Sequence, residues 1–397
     1  MSIKRSPADF IVDELLKPGF RPEAREGPFA VYRLSKEGMA TPEAVGQWAR
    51  KWKIKPGALA YAGLKDKYAR CTQHVSLRLA LAGGAPPERD GESHWNVERL
   101  GWAKRHVQAD DLAGNRFRIV VRGLHAAECA GMDRAIELLR VPDRPALRFV
   151  NYFGDQRFGS ARHGQGFVAR LLVDGDFEGA LQLALCAEAR KDRREVKAFK
   201  RALTEGWGRW QEVLPKLRRC PERRAIEHLA QHPGDFRGAF GWLPYFLQQM
   251  CVYAYQSHLW NAVARGLAAR CEGSRSERIV ADDPFGVMLF PAAAAVPAEW
   301  AELDVPLLSR KTEMKEPWAE VAREVLEEEG LDLNKLRIPG VRRPFFGETP
   351  RRLFAEAAEF SIAPPVREGQ EPLAARTLEF VLPPGAYATV LLRALGQ

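Results

Sequence analysis

The sequence predicts an α+β fold, because strand and helix patterns mix without the regular alternation that builds a doubly wound sheet. Short apolar runs with strand character lie mainly in the N-terminal part and near the end of the chain. Long helical patterns with many charged residues dominate between Gly166 and Leu267. The composition, with 46% hydrophobic and 28% charged residues, is that of an ordinary globular protein, and 397 residues allow roughly two or three domains.

The N-terminal strands are predicted from runs rich in β-branched and aromatic residues. These runs lie at residues 10–16, 29–34, 59–62, 72–79 and 117–121. In the last run Phe117, Ile119 and Val121 share one face, which is typical of a half-buried strand. Helices are predicted at residues 41–53 and 126–140. Thr41 is expected to cap the first of them, with Pro42 at its first helical position.

The remaining elements follow from helical periodicity and from chain-breaking residues. Residues 243–264 predict a buried amphipathic helix, and residues 318–329 predict an acidic helix that ends at Gly330. Proline and glycine interrupt the chain near residue 340. After this break, residues 377–382 predict a strand and residues 386–395 predict a helix.

Several classes of protein are disfavoured by what the sequence lacks. No run of about 18 uninterrupted apolar residues appears, and the start has no apolar signal core, so we expect no membrane contact. The six cysteines are scattered, without a C-x-x-C pair or a nearby histidine cluster. This pattern argues against a zinc site and suits a cytoplasmic protein. No phosphate-binding glycine motif is present, so we expect no cofactor.

The charge of the chain favours a polyanionic partner. The net charge is +9 and the isoelectric point is about 9.3, which suits nucleic acid without proving it. Lysine and arginine exceed the acidic residues between residues 187 and 230, where Phe199, Trp207 and Trp210 also lie. This segment either contacts RNA or forms the solvated face of a helix.

The run GLKDK at residues 63–67 is the most informative motif. It follows a short apolar run, so Asp66 is predicted on a loop at the end of a strand, where catalytic side chains are often found. Lys65 and Lys67 would favour the ionised carboxylate. Such a carboxylate can act as a nucleophile or a base. The alternative interpretation is a charged surface turn.

Four further runs accompany this motif in a fixed order. They are KRSPADFIV at residues 4–12, GNRF at 114–117, NYFGDQRFG at 151–159 and PPGAYAT at 383–389. Together with GLKDK they resemble the TruD family of RNA pseudouridine synthases. The resemblance covers roughly residues 1–165 and 340–397, and the middle of the chain matches only loosely.

The resemblance implies a fold and a function. The fold would be a pseudouridine synthase catalytic domain, with a mixed, mainly antiparallel sheet flanked by helices, at residues 1–165 and 340–397. An inserted TruD-type domain would span residues 166–339. The protein would isomerise uridine to pseudouridine in RNA without a cofactor, most plausibly uridine 13 in the D arm of tRNA. No obligatory protein partner is indicated.

The resemblance also assigns site residues. Asp66 would be the covalent nucleophile, and attack on the base and attack on the sugar both remain open. Phe117 would stack on a flipped uracil, with Asn115 as its polar partner, whereas the residues alone favour a core role for Phe117 and a turn role for Asn115. Arg393 would pair with the aspartate, or it would simply complement the dipole of a C-terminal helix.

Two residues of the first motif, Lys4 and Phe10, would help to close the pocket, although Phe10 is equally typical of a strand core. The run at residues 151–159 would support the site rather than perform chemistry. The rival functions are a non-catalytic RNA-binding protein of the same fold, a synthase acting on other RNAs, and a nucleosidase or glycosylase that uses the same carboxylate. Release of free uracil would identify the last of these.

Overall fold

The computed structural model describes residues 3, 5–20, 22, 26–55, 57–271, 278–369 and 373–397. The chain forms two compact units. The first comprises Met1–Phe149, Ala292–Ala294 and Ala355–Gln397, and the second comprises Val150–Pro291 and Ala295–Phe354. The first unit is therefore built from distant parts of the chain. The predicted boundaries of the inserted domain, after residues 165 and 339, differ from these divisions and stay a prediction.

Strands are numbered in chain order. They are β1 (Phe10–Leu16), β2 (Phe29–Glu37), β3 (Leu59–Tyr61), β4 (Arg70–Arg78), β5 (Arg89–Glu92), β6 (Trp95–Ala103), β7 (Leu112–Leu124), β8 (Leu147–Val150), β9 (Arg278–Asp283), β10 (Gly286–Pro291), β11 (Asp304–Pro306), β12 (Pro350–Arg352), β13 (Phe354–Ile362), β14 (Val366–Arg367) and β15 (Ala374–Leu382).

The α-helices are numbered in the same way. They are α1 (Thr41–Lys51), α2 (Ala126–Leu139), α3 (Val168–Val173), α4 (Phe177–Cys186), α5 (Arg194–Glu205), α6 (Trp210–Val213), α7 (Arg223–Gln231), α8 (Phe236–Gly241), α9 (Tyr245–Arg270), α10 (Ala319–Glu328) and α11 (Ala388–Ala394). None of the helices within the described ranges has an apolar stretch long enough to cross a bilayer.

One large mixed sheet organises the first unit. Its strand order is β5-β6-β2-β4-β1-β7-β15-β13-β8. In addition, β3 pairs with β4, and β14 pairs with β15. β1 and β4 are parallel, whereas the pairs of β1 with β7, β2 with β4 and β7 with β15 are antiparallel. Together with the helices of this unit, this mainly antiparallel sheet confirms the predicted α+β class.

The helix α1 covers part of this sheet through its apolar face. Trp48 has no exposed surface and packs edge-on against Tyr32 of β2, with 4.8 Å between the ring centroids. Val45 belongs to the same core cluster. Trp52 follows the last helical residue and is exposed. The helix therefore ends before the predicted Lys53.

Several elements match their predicted bounds, and others extend beyond them. β1 spans the predicted residues 10–16, and α2 ends one residue before the predicted end. β7 is much longer than the predicted 117–121, because it pairs with strands on both sides. β13 was not predicted. Its sequence, FAEAAEFSI, is rich in alanine and glutamate, which are depleted in strands, so only its place in the sheet makes it one.

The second unit is mainly helical and is organised around α9. This helix carries buried side chains along its length and contains the predicted segment 243–264 except for its first two residues. Trp260 in its middle donates a hydrogen bond of 2.9 Å from Nε1 to the carbonyl oxygen of Val305 in β11. Two antiparallel strand pairs, β9 with β10 and β11 with β12, also belong to this unit.

Gly114 illustrates how tightly the central strands of the sheet approach. A β-carbon at this position of β7 would lie 2.4 Å from the carbonyl oxygen of Leu382 in β15. We therefore expect Gly114→Ala to lower the free energy of unfolding by about 1–3 kcal/mol, as overpacking does. Urea or thermal unfolding measures this change.

The matched control is Gly131→Ala in α2, where the nearest atom to an added β-carbon is Nη2 of Arg134 at 3.7 Å. This substitution should raise stability by up to about 1 kcal/mol, because alanine is the better helix former. Equal effects of the two substitutions would show that the approach of the strands at Gly114 is not a constraint.

Candidate active site

Asp66 lies half-buried in the irregular segment between β3 and β4. Three hydrogen bonds from side chains hold the backbone of this segment. Gln73 donates to the carbonyl oxygen of Gly63 at 3.2 Å, Thr41 accepts from the amide of Lys65 at 3.1 Å, and Lys36 donates to the carbonyl oxygen of Asp66 at 2.7 Å. The segment is therefore fixed in place although it has no regular structure of its own.

The role of Thr41 differs from the predicted one. The helix α1 begins at Thr41 itself, with Ala40 in the cap position. The Thr41 hydroxyl donates to Oε1 of Gln73 in β4 at 2.7 Å and accepts from the amide of Lys65, so it links β4 to the Asp66 loop. The capping prediction was wrong because this buried hydroxyl serves tertiary contacts rather than the helix end.

Lys36 is a buried lysine directly beneath the loop. It is 2% exposed, and its Nζ donates to the carbonyl oxygens of Met39 at 2.9 Å and Asp66 at 2.7 Å. Burial lowers its pKa, while Cys71 and Asp66 act in the opposite direction. Since the amine bonds main-chain carbonyls, Lys36 positions the backbone of Asp66.

A buried ion pair fixes the neighbouring residue. Nζ of Lys65 lies 2.7 Å from Oε2 of Glu14 and donates to Oδ1 of Asn115 at 2.8 Å. Oε1 of Glu14 accepts from the backbone amide of His74 at 2.9 Å and lies 3.1 Å from its Nδ1. The Glu14 carboxylate thus connects three strands to the Asp66 loop.

The ionisation of Glu14 depends on these partners. Burial alone would raise the pKa of Glu14, but the hydrogen bonds from His74 and the ammonium of Lys65 outweigh it, and the pKa is lowered. Nζ of Lys67, the other lysine of the motif, lies 3.7 Å from Oε2 of the exposed Glu43. Both lysines of the GLKDK run therefore form ion pairs with glutamates, and the first of these pairs is structural.

The predicted aromatic residues lie on the same face of the sheet as Glu14 and Asn115. In the antiparallel register of β1 and β7, Glu14 is opposite Asn115 and Val12 is opposite Phe117. The Phe117 ring lies edge-on to Phe10, with centroids 6.0 Å apart, and is stacked on Phe380 at 5.4 Å. Phe117 is 8% exposed and Phe10 is 1% exposed, so both rings pack in the core.

The remaining predicted residues are placed as follows. Asn115 accepts from Lys65 and is therefore held next to the Asp66 loop. Arg393 is half-buried in the last turn of α11, in the same compact unit as Asp66. Lys4 lies outside the described residues. The roles of all of these residues in substrate binding stay predictions.

The NYFGDQRFG run belongs to the second compact unit and forms an extensive internal network. The side chain of Asn261 in α9 brackets Phe153, accepting from its amide at 2.8 Å and donating to its carbonyl oxygen at 3.0 Å. Arg351 donates to Oδ1 of Asn151 at 2.8 Å, and Arg157 donates to Ser257 at 2.9 Å. These bonds assign the run a structural role within its unit.

Glu14, Lys36 and Gln73 were missed by the sequence analysis. Each occupies a core-facing position of its strand: Phe10, Val12 and Glu14 are buried in β1, and Leu34 and Lys36 are buried in β2. The signal available in the sequence was a polar residue at a strand position where the alternation predicts an apolar one. Within the described part of the chain, no group of three or more histidine, cysteine, aspartate or glutamate side chains is placed to hold a metal ion.

Comparison with known proteins identifies the family. The family model described as tRNA pseudouridine synthase D (TruD) matches residues 1–395. The chain belongs to the TruD family. A probable tRNA pseudouridine synthase D of Methanopyrus kandleri is 33% identical over 396 residues, which cover 96% of this TruD chain and 89% of the relative. The tRNA pseudouridine synthase D of Aquifex aeolicus is 28% identical over 99% of this chain and 97% of its own.

The fold is also that of a known TruD structure. The putative tRNA pseudouridine synthase D of Methanosarcina mazei has a crystal structure with a TM-score of 0.70 and 24% sequence identity, covering 99% of this chain and 92% of that one. The resemblance inferred from the five sequence runs is thereby confirmed. The TruD chain is a pseudouridine synthase, and pseudouridine synthases are isomerases.

The Glu14 pair yields a prediction with a defined pH dependence. Glu14→Gln should lower the free energy of unfolding by about 3 kcal/mol at pH 7, because it leaves the Lys65 charge buried without its partner. The wild-type pKa of Glu14 is below its ordinary 4.5. The contribution of Glu14 is therefore complete above that value and is lost as the pH falls through the lower folded pKa.

Urea unfolding is measured for the wild type and Glu14→Gln from pH 7 into the acid range. The difference between their free energies of unfolding should become smaller below about pH 4.5. Glu43→Gln, which removes an exposed pair with Lys67, should change stability by less than about 1 kcal/mol. A difference between wild type and Glu14→Gln that stays constant in acid would contradict an ionised Glu14 in the folded protein.

Proposed function

We propose that this protein isomerises uridine 13 in the D arm of tRNA to pseudouridine, with Asp66 as the nucleophile and without a cofactor. The observation that carries the proposal is the fixed position of the half-buried Asp66, on a loop tied by Lys36, Thr41 and Gln73. Membership of the TruD family supports the reaction class. The uridine position is what the family resemblance implies.

The reaction needs one covalent group and a base that has left its stack. Asp66 bonds to the base or to the ribose, and the bond between the ribose and the base nitrogen breaks. The uracil turns and is rejoined through carbon, which then loses its proton to the solvent, while the freed nitrogen gains a proton. The carboxylate is released, so the composition of the substrate is unchanged. A uridine inside a stacked arm must flip out to reach the carboxylate.

The other residues take supporting roles in this proposal. Asn115 and Lys65 form the polar part of the site next to Asp66, because they are hydrogen-bonded to each other at 2.8 Å. Phe117 forms an aromatic wall further along the same strand. Arg393 pairs with the carboxylate, as the resemblance implies, and Phe10 supports the Phe117 ring edge-on.

The central prediction concerns the nucleophile. Asp66→Asn should reduce pseudouridine formation at least about a thousand-fold, since an amide cannot form the covalent intermediate. The fold and the affinity for tRNA should be retained. Site-specific detection of pseudouridine in a tRNA transcript measures the first effect, and a binding titration measures the second.

Asp110→Asn, which changes an exposed aspartate of the same unit, serves as the matched control and should be fully active. Turnover in Asp66→Asn above about a thousandth of the wild-type value would assign the nucleophile to another residue. If pseudouridine forms at a different uridine, or in another RNA, only the proposed position in tRNA is rejected. Release of free uracil would identify a glycosylase, and tRNA binding without any product would identify a binding protein.

A second prediction separates a binding role of Phe117 from a purely structural one. Stacking of a base on an aromatic ring contributes about 1–3 kcal/mol, so Phe117→Ala should slow turnover per folded molecule by roughly ten-fold or more. Phe117→Tyr should have a smaller effect because the ring remains. The rate is measured on the folded fraction, which circular dichroism determines.

Ile119→Ala is the matched control, because Ile119 is fully buried and lies two residues further along the same face of β7. It should lose stability without losing turnover per folded molecule. If Phe117→Ala behaves in the same way, Phe117 is a core residue only.

A further inference from the structure

Three large aromatic side chains lie exposed at the start of α9 in the second unit. Trp242 is 45% exposed, Tyr245 is 47% exposed and Phe246 is 74% exposed. Aromatic residues of this size are normally buried, and an exposed cluster of them marks a surface that binds something. None of the three belongs to the motifs on which the family resemblance rests.

Trp242 is held in place although it is exposed. Its Nε1 donates to Nδ1 of His228 at 3.1 Å, and Nε2 of His228 lies 2.8 Å from Oδ2 of Asp235. The guanidinium of Arg224 lies over the Trp242 ring, 4.7 Å from its centroid. A ring fixed in this way loses little conformational entropy when it binds a partner.

Two arginines lie close to Trp242. Arg224 lies over its ring, and Arg237 belongs to α8, which ends one residue before it. Arg237 lies against Gly340, since a β-carbon there would be 2.5 Å from its Nη1. The loop that continues from Gly340 exposes Arg342, Arg343 and Phe345. We call Trp242, Tyr245, Phe246, Phe345 and these arginines, with Arg224, the aromatic–arginine surface.

The arginines of this surface have no ion-pair partner in the described part of the chain. Among the described residues, Arg224, Arg237, Arg342 and Arg343 form no ion pair, and the nearby Asp235 pairs with His228. The basic helix α5 is different. Its Lys200 pairs with Asp192 and its Arg201 pairs with Glu188, so the segment that the sequence offered as an RNA contact uses two of its cations internally.

We propose that the aromatic–arginine surface binds the tRNA substrate, with unpaired bases stacked on the aromatic rings and phosphates bound by the arginines. This inference rests on the proposed function, which supplies RNA as the substrate. Rings that offer flat faces next to unpaired cations match a polyanion with exposed bases. A symmetric contact with a second copy would instead bring the same four arginines together, and like charges oppose it.

The aromatic part is tested with Tyr245→Ala combined with Phe246→Ala. Both side chains are exposed, so the protein should fold normally. The dissociation constant for an in-vitro-transcribed tRNA should rise about ten-fold or more, and its dependence on salt concentration should keep the same slope. Trp242→Phe, which keeps a ring, should have a smaller effect.

The arginine part is tested with Arg224→Gln combined with Arg237→Gln. Each lost phosphate contact should reduce the slope of log affinity against log salt by roughly 0.7–0.9. Turnover at saturating tRNA should be unchanged for both double variants, because these residues position the substrate and do not touch the reacting uridine.

Val280→Ala combined with Val287→Ala is the matched control, since it removes exposed apolar side chains of the same unit in the β9–β10 pair. It should bind tRNA like the wild type. An unchanged dissociation constant for the aromatic variant would overturn the proposal. So would a wild-type dimer in sedimentation that the aromatic variant converts to monomer with unaltered tRNA affinity, because the surface would then join copies of the chain.

The two proposals fail separately. If the wild type binds tRNA but makes no pseudouridine, the proposed function is rejected, while the binding titrations still decide the role of this surface. If the wild type makes pseudouridine and both double variants bind as tightly as it does, only the inference about this surface is rejected.

Discussion

The position of the candidate nucleophile depends on one buried carboxylate. Glu14 has a side chain without exposed surface, and it holds the ammonium of Lys65 and the backbone of His74 at the same time. The described segment that carries Asp66 has no ladder of backbone hydrogen bonds of its own. This ion pair and the hydrogen bonds with Lys36, Thr41 and Gln73 replace one. A catalytic group that is fixed before the substrate arrives needs no reorganisation at the moment of reaction. In the proposed reaction, the role of the polar residues under the loop is therefore to position Asp66.

The sequence signatures of the family divide into two physical kinds. GLKDK places a carboxylate on a supported loop, and its two lysines form ion pairs rather than acting as free charges. NYFGDQRFG builds a hydrogen-bonded network with α9 and Arg351 inside the second unit. Both runs contain an aspartate, Asp66 in the first and Asp155 in the second, but the family resemblance assigns the covalent role to Asp66. A conspicuous motif in a chain of this family is therefore not by itself a catalytic one.

Local patterns predicted the elements that local forces determine. β1, α2 and the long helix α9 follow from strand alternation and helical periodicity, because their buried residues recur at the spacing of a strand or a helix. β13 could not be predicted, since an alanine- and glutamate-rich segment becomes a strand only through its neighbours in the sheet. Asp66 was found through its motif, whereas Lys36 and Gln73 support it from distant positions that no spacing rule connects. The sequence signal for that role was that both residues are polar at core-facing strand positions.

The pairing of β7 with β15 has a consequence for how the protein folds during synthesis. Phe117 is opposite Phe380 in this ladder, and Asn115 is opposite Leu382, so the central sheet joins residues that leave the ribosome far apart in time. Contacts of such high sequence separation form late, because a long loop must be closed first. The second unit lies between these two strands in the sequence, so it can fold before β15 has been synthesised. The edge of β7 is unpaired during that interval, and it is there that we expect a chaperone to be needed.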